Sequence, residues 1–257
     1  MKEFYKDQNV KYILGDSFDY LKKLPDKSID LIVTDPPYFL SNGGFSNSGG
    51  KKVSVNKGSW DDPNLVDSEQ FYSSFLEESF RVLKDNGTLW IFGTMHNIYT
   101  IGYLLPKLGF KILNNVTWQK SNPAPNLSRR MFTHSTETIL WAKKQGGKQL
   151  FNYDEMRAIN GGKQMKDVWT TSTISKLEKR FGKHPTQKPL SLMLRILKAS
   201  ANTNMIILDP FVGSGTTAVA GKMLGMKVIG VDESESYLSI AKNRVIDIEN
   251  ERVGKIL

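Results

Sequence analysis

The chain of 257 residues contains no cysteine. That excludes disulfides, thiolate metal sites and any mechanism built on a thiolate nucleophile. Histidine is scarce as well: His96, His134 and His184 are the full set, too few for a histidine-rich metal centre, so no metal is expected. No apolar run approaches the roughly 20 residues that a membrane-spanning helix needs. The opening stretch, Met1 to Asp7, has neither the apolar core nor the cleavage pattern of a signal peptide. The expectation is a cytoplasmic protein with no membrane partner.

What is present is ordinary globular composition, 39% hydrophobic and 24% charged, in a length that suits one sizeable α/β domain carrying a smaller insertion. The net charge of +9 is unevenly placed. Between Gln119 and Lys188 lie fourteen lysines and arginines against five acids, an excess of nine that equals that of the whole chain. A basic block in an otherwise balanced chain points to a polyanionic partner.

Two stretches carry chemistry. The β-branched run Ile29-Asp30-Leu31-Ile32-Val33 reads as a buried strand, and Thr34-Asp35-Pro36-Pro37-Tyr38 stops it. Proline cannot continue a ladder and presets its own φ, so an acid, a carbonyl and an aromatic ring are held in one fixed cluster. Such a cluster suits a planar amine. The second stretch follows the strand Met205-Ile206-Ile207-Leu208 and runs Asp209-Pro210-Phe211-Val212-Gly213-Ser214-Gly215-Thr216-Thr217. Here glycines let the backbone pass close to a ligand. One strand later Asp232 stands where an acid accepts hydrogen bonds from ribose hydroxyls. A triphosphate loop is excluded, since Gly221-Lys222 is followed by Met223, and the third glycine of a dinucleotide fingerprint is replaced by Thr216 and Thr217.

Around these stretches strands and helices alternate, which implies parallel βαβ units. Helices are expected over 17–24, 67–84, 96–108, 190–201, from 216 to 224 and from 236 onward, with strands at 11–14, 88–92, 110–113 and 227–231. Phe71, Phe75, Leu76, Phe80 and Leu83 lie at helical spacing and read as core. The glycine- and serine-rich stretch 40–63 reads as a mobile loop beside the site. Between 119 and 183 regularity lapses, and only Glu137 to Ala142 reads as a clean strand.

The Asp-Pro-Pro-Tyr element, the glycine element and His184-Pro185-Thr186-Gln187-Lys188-Pro189 jointly resemble the amino-methyltransferases that act on DNA with S-adenosylmethionine. The order of the elements is that of the β class. The run through Phe39-Leu40-Ser41-Asn42-Gly43-Gly44 and Asn122-Pro123-Ala124-Pro125-Asn126-Leu127 is similar to the DpnA-type adenine methyltransferases. The resemblance spans essentially the whole chain. It implies a Rossmann-like methyltransferase fold, α/β and circularly permuted, with a mostly parallel sheet flanked by helices and an inserted basic region. It divides the chain into a catalytic half over 1–118, a target-recognition insertion over 119–183 and a cofactor-binding half over 184–257.

The resemblance also assigns roles. Asp35, Pro36, Pro37 and Tyr38 would be catalytic, with the amine hydrogen-bonded to Asp35 and to the Pro36 carbonyl and the base stacked on Tyr38. Phe211, Gly213, Ser214, Gly215 and Thr216 would shape the methionine side of the cofactor site, and Asp209 would face the charged amino-acid end. Asp232 would bind ribose, Asp16 would lie near the cofactor adenine, Asp35 would border the site, and Thr186 and Lys188 would close over it. DNA contacts fall to Tyr38, Arg129, Arg130 and His134. The implied activity is adenine-N6 methylation, in GATC, within a restriction–modification system, on double- or single-stranded DNA. Cytosine-C5 chemistry is excluded by the missing cysteine. Cytosine-N4 methylation stays open, although its enzymes mostly carry serine where Asp35 stands. An RNA adenine methyltransferase and a catalytically silent DNA-binding protein also remain as rivals, and so do both a monomer and a homodimer.

Overall fold

A computed structural model describes residues 1–39, 45–48, 51–54 and 67–253. Eleven strands and seven helices are named in chain order. They are β1 (Lys2–Lys6), β2 (Val10–Leu14), α1 (Ser17–Lys23), β3 (Ile29–Thr34), β4 (Phe45–Ser48), β5 (Lys51–Ser54), α2 (Ser68–Val82) and β6 (Leu83–Gly93). There follow α3 (Ile98–Lys107), β7 (Phe110–Lys120), β8 (Thr136–Lys144), α4 (Tyr153–Ile159) and β9 (Val168–Thr171). The chain continues with α5 (Leu190–Ser200), β10 (Ile206–Asp209), α6 (Thr216–Met223), β11 (Lys227–Asp232) and α7 (Glu235–Val253). Among the described residues no helix is long and apolar enough to cross a membrane.

Nine strands form one sheet in the order β1-β2-β11-β10-β3-β6-β8-β7-β9. Its centre, from β2 through β11, β10 and β3 to β6, is parallel throughout. β1 and β8 run antiparallel to their neighbours. The strands that come last in sequence therefore lie between β2 and β3. In register Asp232 stands beside Leu14, Asp209 beside Gly230, and Leu208 beside Ile32. Asp16, Asp35, Asp209 and Asp232 all sit at the carboxyl ends of parallel strands, on the edge where α/β sheets bind ligands.

Both faces of the central sheet are buried, which explains strands with almost no polar alternation. Ile32, Leu89 and Ile91 face α1, α2 and α3, whose Leu21, Phe75, Leu76 and Ile101 meet them. Leu31, Val33, Trp90 and Phe92 face the other way, against Leu192 and Ile196 of α5, Ala218 of α6 and Leu238 of α7. The helices begin where the sequence supplies caps. The Asp16 carboxylate accepts the Asp19 N–H at 2.7 Å, and Asp67 accepts those of Glu69 and Gln70 at 3.0 and 3.1 Å.

Four stretches depart from the expectations. α2 ends at Val82, and β6 starts at Leu83, five residues before the strand expected over 88–92. The third helix-to-strand unit carries an 11-residue β7 in place of a strand over 110–113. The segment 119–183 contains α4 and also β9, which pairs parallel with β7 and extends the sheet. β1 forms the opposite edge, where no strand was expected. Of the loop over 40–63 only β4 and β5 are described, paired as an antiparallel ribbon, and its expected mobility lies outside the described residues.

Leu76 is fully buried beneath the sheet. Leu76→Ala is expected to cost about 2–5 kcal/mol, read as a lower urea midpoint at unchanged m value.

Candidate active site

β3 ends at Thr34, and Pro36 and Pro37 then turn the chain so that the Asp35 side chain points inward. It meets Lys188, whose Nζ donates to Asp35 Oδ2 at 2.6 Å. The Tyr38 hydroxyl donates to the other carboxylate oxygen, Oδ1, and lies 3.2 Å from the Lys188 ammonium. Lys188 is only 5% exposed. Its ammonium also stands 3.3 Å from Glu137 Oε2, and Lys120 holds the second Glu137 oxygen at 2.7 Å. Two acids and two bases thus alternate in a chain from Asp35 to Lys120. Behind them the Tyr72 hydroxyl donates to the Pro37 carbonyl at 2.6 Å, and Asn97 Nδ2 donates to the Tyr72 hydroxyl at 3.2 Å. The proline turn is braced from α2 and from the start of α3.

Burial and the paired charges compete in the titration of this cluster. Burial prevails at Asp35 and Tyr38, and the charges prevail at Glu137 and Lys188. Burial raises Asp35 above the usual carboxylate value, with Lys188 opposing the rise and Glu137 adding to it. Burial also pushes Glu137 up, but Lys188 and Lys120 outweigh it and hold that carboxyl below its ordinary value. For Lys188, burial pulls downward while Asp35 and Glu137 together raise it above the ordinary lysine value. Tyr38 is driven well above the normal phenol value, by burial first and then by the neighbouring Asp35 charge. The ammonium stays charged and the phenol stays neutral at physiological pH.

The second half of the site is the turn from β10 to α6. Gly213 adopts φ +49°, and a Cβ there would come within 2.7 Å of His184 Nε2. Its N–H donates to Asp232 Oδ2 at 2.9 Å, and Ser234 N–H donates to Oδ1 at 2.8 Å. Arg244 of α7, buried, spans the turn from behind. It donates to the Ser214 carbonyl at 2.6 Å and to the Thr216 hydroxyl at 3.0 Å.

One cleft joins the two halves. Asp35, Pro36, Pro37 and Tyr38 line one side, Phe211, Gly213 and Asp232 the other, with Asp16 and Thr186 at the ends. Lys188 lies behind Asp35 and faces it, not the cleft. Ser214, Gly215 and Thr216 stay behind the cleft wall as well, the first and last held by Arg244. Asp209 is buried, accepting from the Thr217 hydroxyl at 2.6 Å and the Phe211 N–H at 3.2 Å. Burial raises its pKa to about 7, against the pull of those two donors. Arg129, Arg130 and His134 are exposed on the connection from β7 to β8, outside the cleft.

The cleft also takes residues not expected at the site: Phe18, Phe71, Glu233 and Tyr237. The helical spacing places Phe71 in the core. Its ring does pack against Phe18 and Phe39 at 5.1 and 5.0 Å, but it also faces the cleft and touches Phe211 at 5.9 Å. The apolar stripe of α2 gives no sign of which residue reaches the sheet's ligand edge. Glu233 was legible only as the neighbour of Asp232. Burial, and the Asp16 carboxylate beside it, raise its pKa.

Residues 29–243 match the protein family described as DNA methylase, of the N6/N4 methyltransferase type. The chain belongs to that family. It is 54% identical to the Type II methyltransferase M2.DpnII of Streptococcus pneumoniae, over 97% of this chain and 94% of that protein. It is 55% identical to the Type II methyltransferase M2.LlaDCHI of Lactococcus lactis subsp. cremoris, over 95% and 92% of the two chains. Among solved structures, the complex of M1.HpyAVI with S-adenosylmethionine superimposes with a TM-score of 0.69 at 30% identity, covering 92% of this chain and 98% of that one. The cytosine-N4-specific PvuII DNA methyltransferase, 18% identical with a TM-score of 0.74 over 97% and 94%, shares the fold.

This DNA methyltransferase uses S-adenosylmethionine, and the cleft suits that group. Acids at Asp16, Asp232 and Glu233 would suit its ribose hydroxyls and cationic amino group, the Phe211 ring would offer apolar contact, and a backbone bare of Cβ at Gly213 would permit close approach. Gly213→Ala forces a left-handed backbone that costs an alanine about 1–2 kcal/mol, before the encounter with His184. Cofactor affinity measured by calorimetry is expected to fall roughly tenfold or more; an unchanged Kd would count against the cradle.

Proposed function

We propose that this methyltransferase modifies the N6 amino group of adenine within GATC, as the modification arm of a Type II restriction system. The observation that carries the reading is the Asp35 carboxylate, paired with Lys188 at 2.6 Å and lining the cofactor cleft together with Pro36. The relatives that share more than half of its sequence are Type II methyltransferases, and aspartate at position 35 in place of serine favours adenine over cytosine-N4.

The exocyclic nitrogen of adenine is a poor nucleophile because its lone pair is spread into the ring. Hydrogen bonds from that NH₂ to Asp35 and the Pro36 carbonyl localise the pair and aim it. Each carboxylate oxygen has two acceptor sites, so Asp35 serves the amine while keeping Lys188 and Tyr38. Bound in the cleft, S-adenosylmethionine supplies the electrophilic methyl group on its sulfonium. Asp35 acts by accepting and positioning, not as a strong base, and the surplus proton departs after transfer. Tyr38 stacks on the extruded base, a contact worth on the order of 1–3 kcal/mol. Extrusion from a duplex costs a few kcal/mol, and single strands escape most of it, which favours activity on single strands as well as on duplex.

Target recognition falls to the basic segment 119–183, with Arg129, Arg130 and His134 toward the DNA. The placement of β10 and β11 between β2 and β3 supports reading the chain as a circular permutation of the methyltransferase order.

Asp35→Ala is expected to lower methyl transfer at least about a hundredfold, with cofactor affinity surviving in part; near wild-type turnover contradicts the assignment. Turnover requires the ionised carboxylate, so it falls as pH drops through the raised Asp35 pKa. Lys188→Gln removes the cation that opposes this rise. The acid limb of the pH profile then moves to higher pH, and a limb that stays in place argues against the pairing.

A further inference from the structure

The connection between β7 and β8 leaves and re-enters the sheet at the catalytic edge. Lys120 N–H donates to the Ser135 carbonyl at 2.7 Å, closing the base of the loop. At that base the Lys120–Glu137 pair continues through Lys188 to Asp35. Beyond it the chain folds into a tight turn around Asn126. Asn126 Nδ2 donates to the Met131 carbonyl at 3.0 Å, and its Oδ1 accepts from the Ser128 N–H at 3.0 Å and the Ser128 hydroxyl at 2.7 Å. Arg129 takes φ +53° within this turn. The loop is preformed, and it points its apolar residues outward. Phe132 is 95% exposed, with Leu127 and Met131 at 60% and 62%. Arg129, Arg130 and His134 are exposed around them.

A phenylalanine held in water at the tip of a closed turn gains nothing for the fold. Its cationic collar, in the segment that carries the chain's whole positive excess, suits a polyanion with an apolar interior. Duplex DNA is such a partner: phosphates outside, stacked bases within. We propose that Phe132, with Met131 beside it, enters the base stack of duplex DNA in the space left by the extruded adenine, while Arg129 and Arg130 hold the flanking phosphates. This rests on the reading that an extruded base is methylated. The loop's base adjoins Asp35 through three side chains, so the wedge and the pocket that receives the base sit on one edge of the sheet. Phe132 offers nothing to a strand that is already single, because no stack has to be refilled.

That difference makes the test. Initial methylation rates of Phe132→Ala, Phe132→Leu and wild type are measured on a duplex carrying the modified site and on the same strand alone. Phe132→Ala is expected to lose about tenfold or more in kcat/KM on the duplex and less than about twofold on the single strand. Phe132→Leu, still an apolar wedge, recovers most of the duplex rate. With 2-aminopurine at the target position, the fluorescence rise on binding duplex is smaller for Phe132→Ala. Equal losses on both substrates, or none on either, overturn the wedge while leaving the methyltransferase reading intact. A wild-type enzyme active on single strands alone overturns it in the same way. Wild-type inactivity on both substrates removes the proposed function itself, and the wedge with it.

Discussion

The ion pair between Lys188 and Asp35 is the contact on which the site depends. A carboxylate taken this far out of water would prefer to be neutral, and a neutral acid is a weaker acceptor for the amine's N–H. The ammonium at 2.6 Å opposes that tendency. Lys188 is itself buried and is held by Glu137, which in turn is anchored to Lys120. Breaking such a network at one member leaves an uncompensated charge, which is far more costly than the net worth of the pair. The four side chains come from the ends of β3, β7 and β8 and from the entry to α5. The ion pair links positions 153 residues apart. Sheet order, strand register and charge pairing therefore constrain one another.

The same edge explains why the last strands of the chain sit inside the sheet. With β10 and β11 between β2 and β3, the glycine turn after β10, Asp232 at the end of β11 and the proline turn after β3 all line one cleft. The cleft needs no separate domain to bring a cofactor to a base. Its floor is rigid: Arg244 ties the glycine turn to α7, and Tyr72 with Asn97 ties the proline turn to α2 and α3.

Much of this was legible in the sequence, because prolines and glycines punctuate it. Pro36 and Pro37 mark the end of β3, and Gly213 marks a turn that only glycine fills without strain. The central strands read as continuous apolar runs since both their faces are covered. The edges were harder. β1 is largely exposed and begins and ends in lysine, and β9 is four residues long with one neighbour. β7 carries Asn114 and Asn115 where its register against β8 shifts, which breaks the alternation that a strand would show. Residues acting through distant partners left no local signal at all. Glu137 looks like one polar residue opening a strand, and nothing in the sequence singles out Arg244. The roles of Ser214, Thr216 and Asp209 follow from what binds them from behind, which no motif records.

The central claim concerns which base carries the methyl group, and where. It is tested most directly by expressing the protein in a methylation-deficient host and mapping modified bases across the genome, with base type resolved by mass spectrometry. The account predicts N6-methyladenine confined to GATC. N4-methylcytosine, or DNA left unmodified by a folded enzyme that binds S-adenosylmethionine, would contradict it.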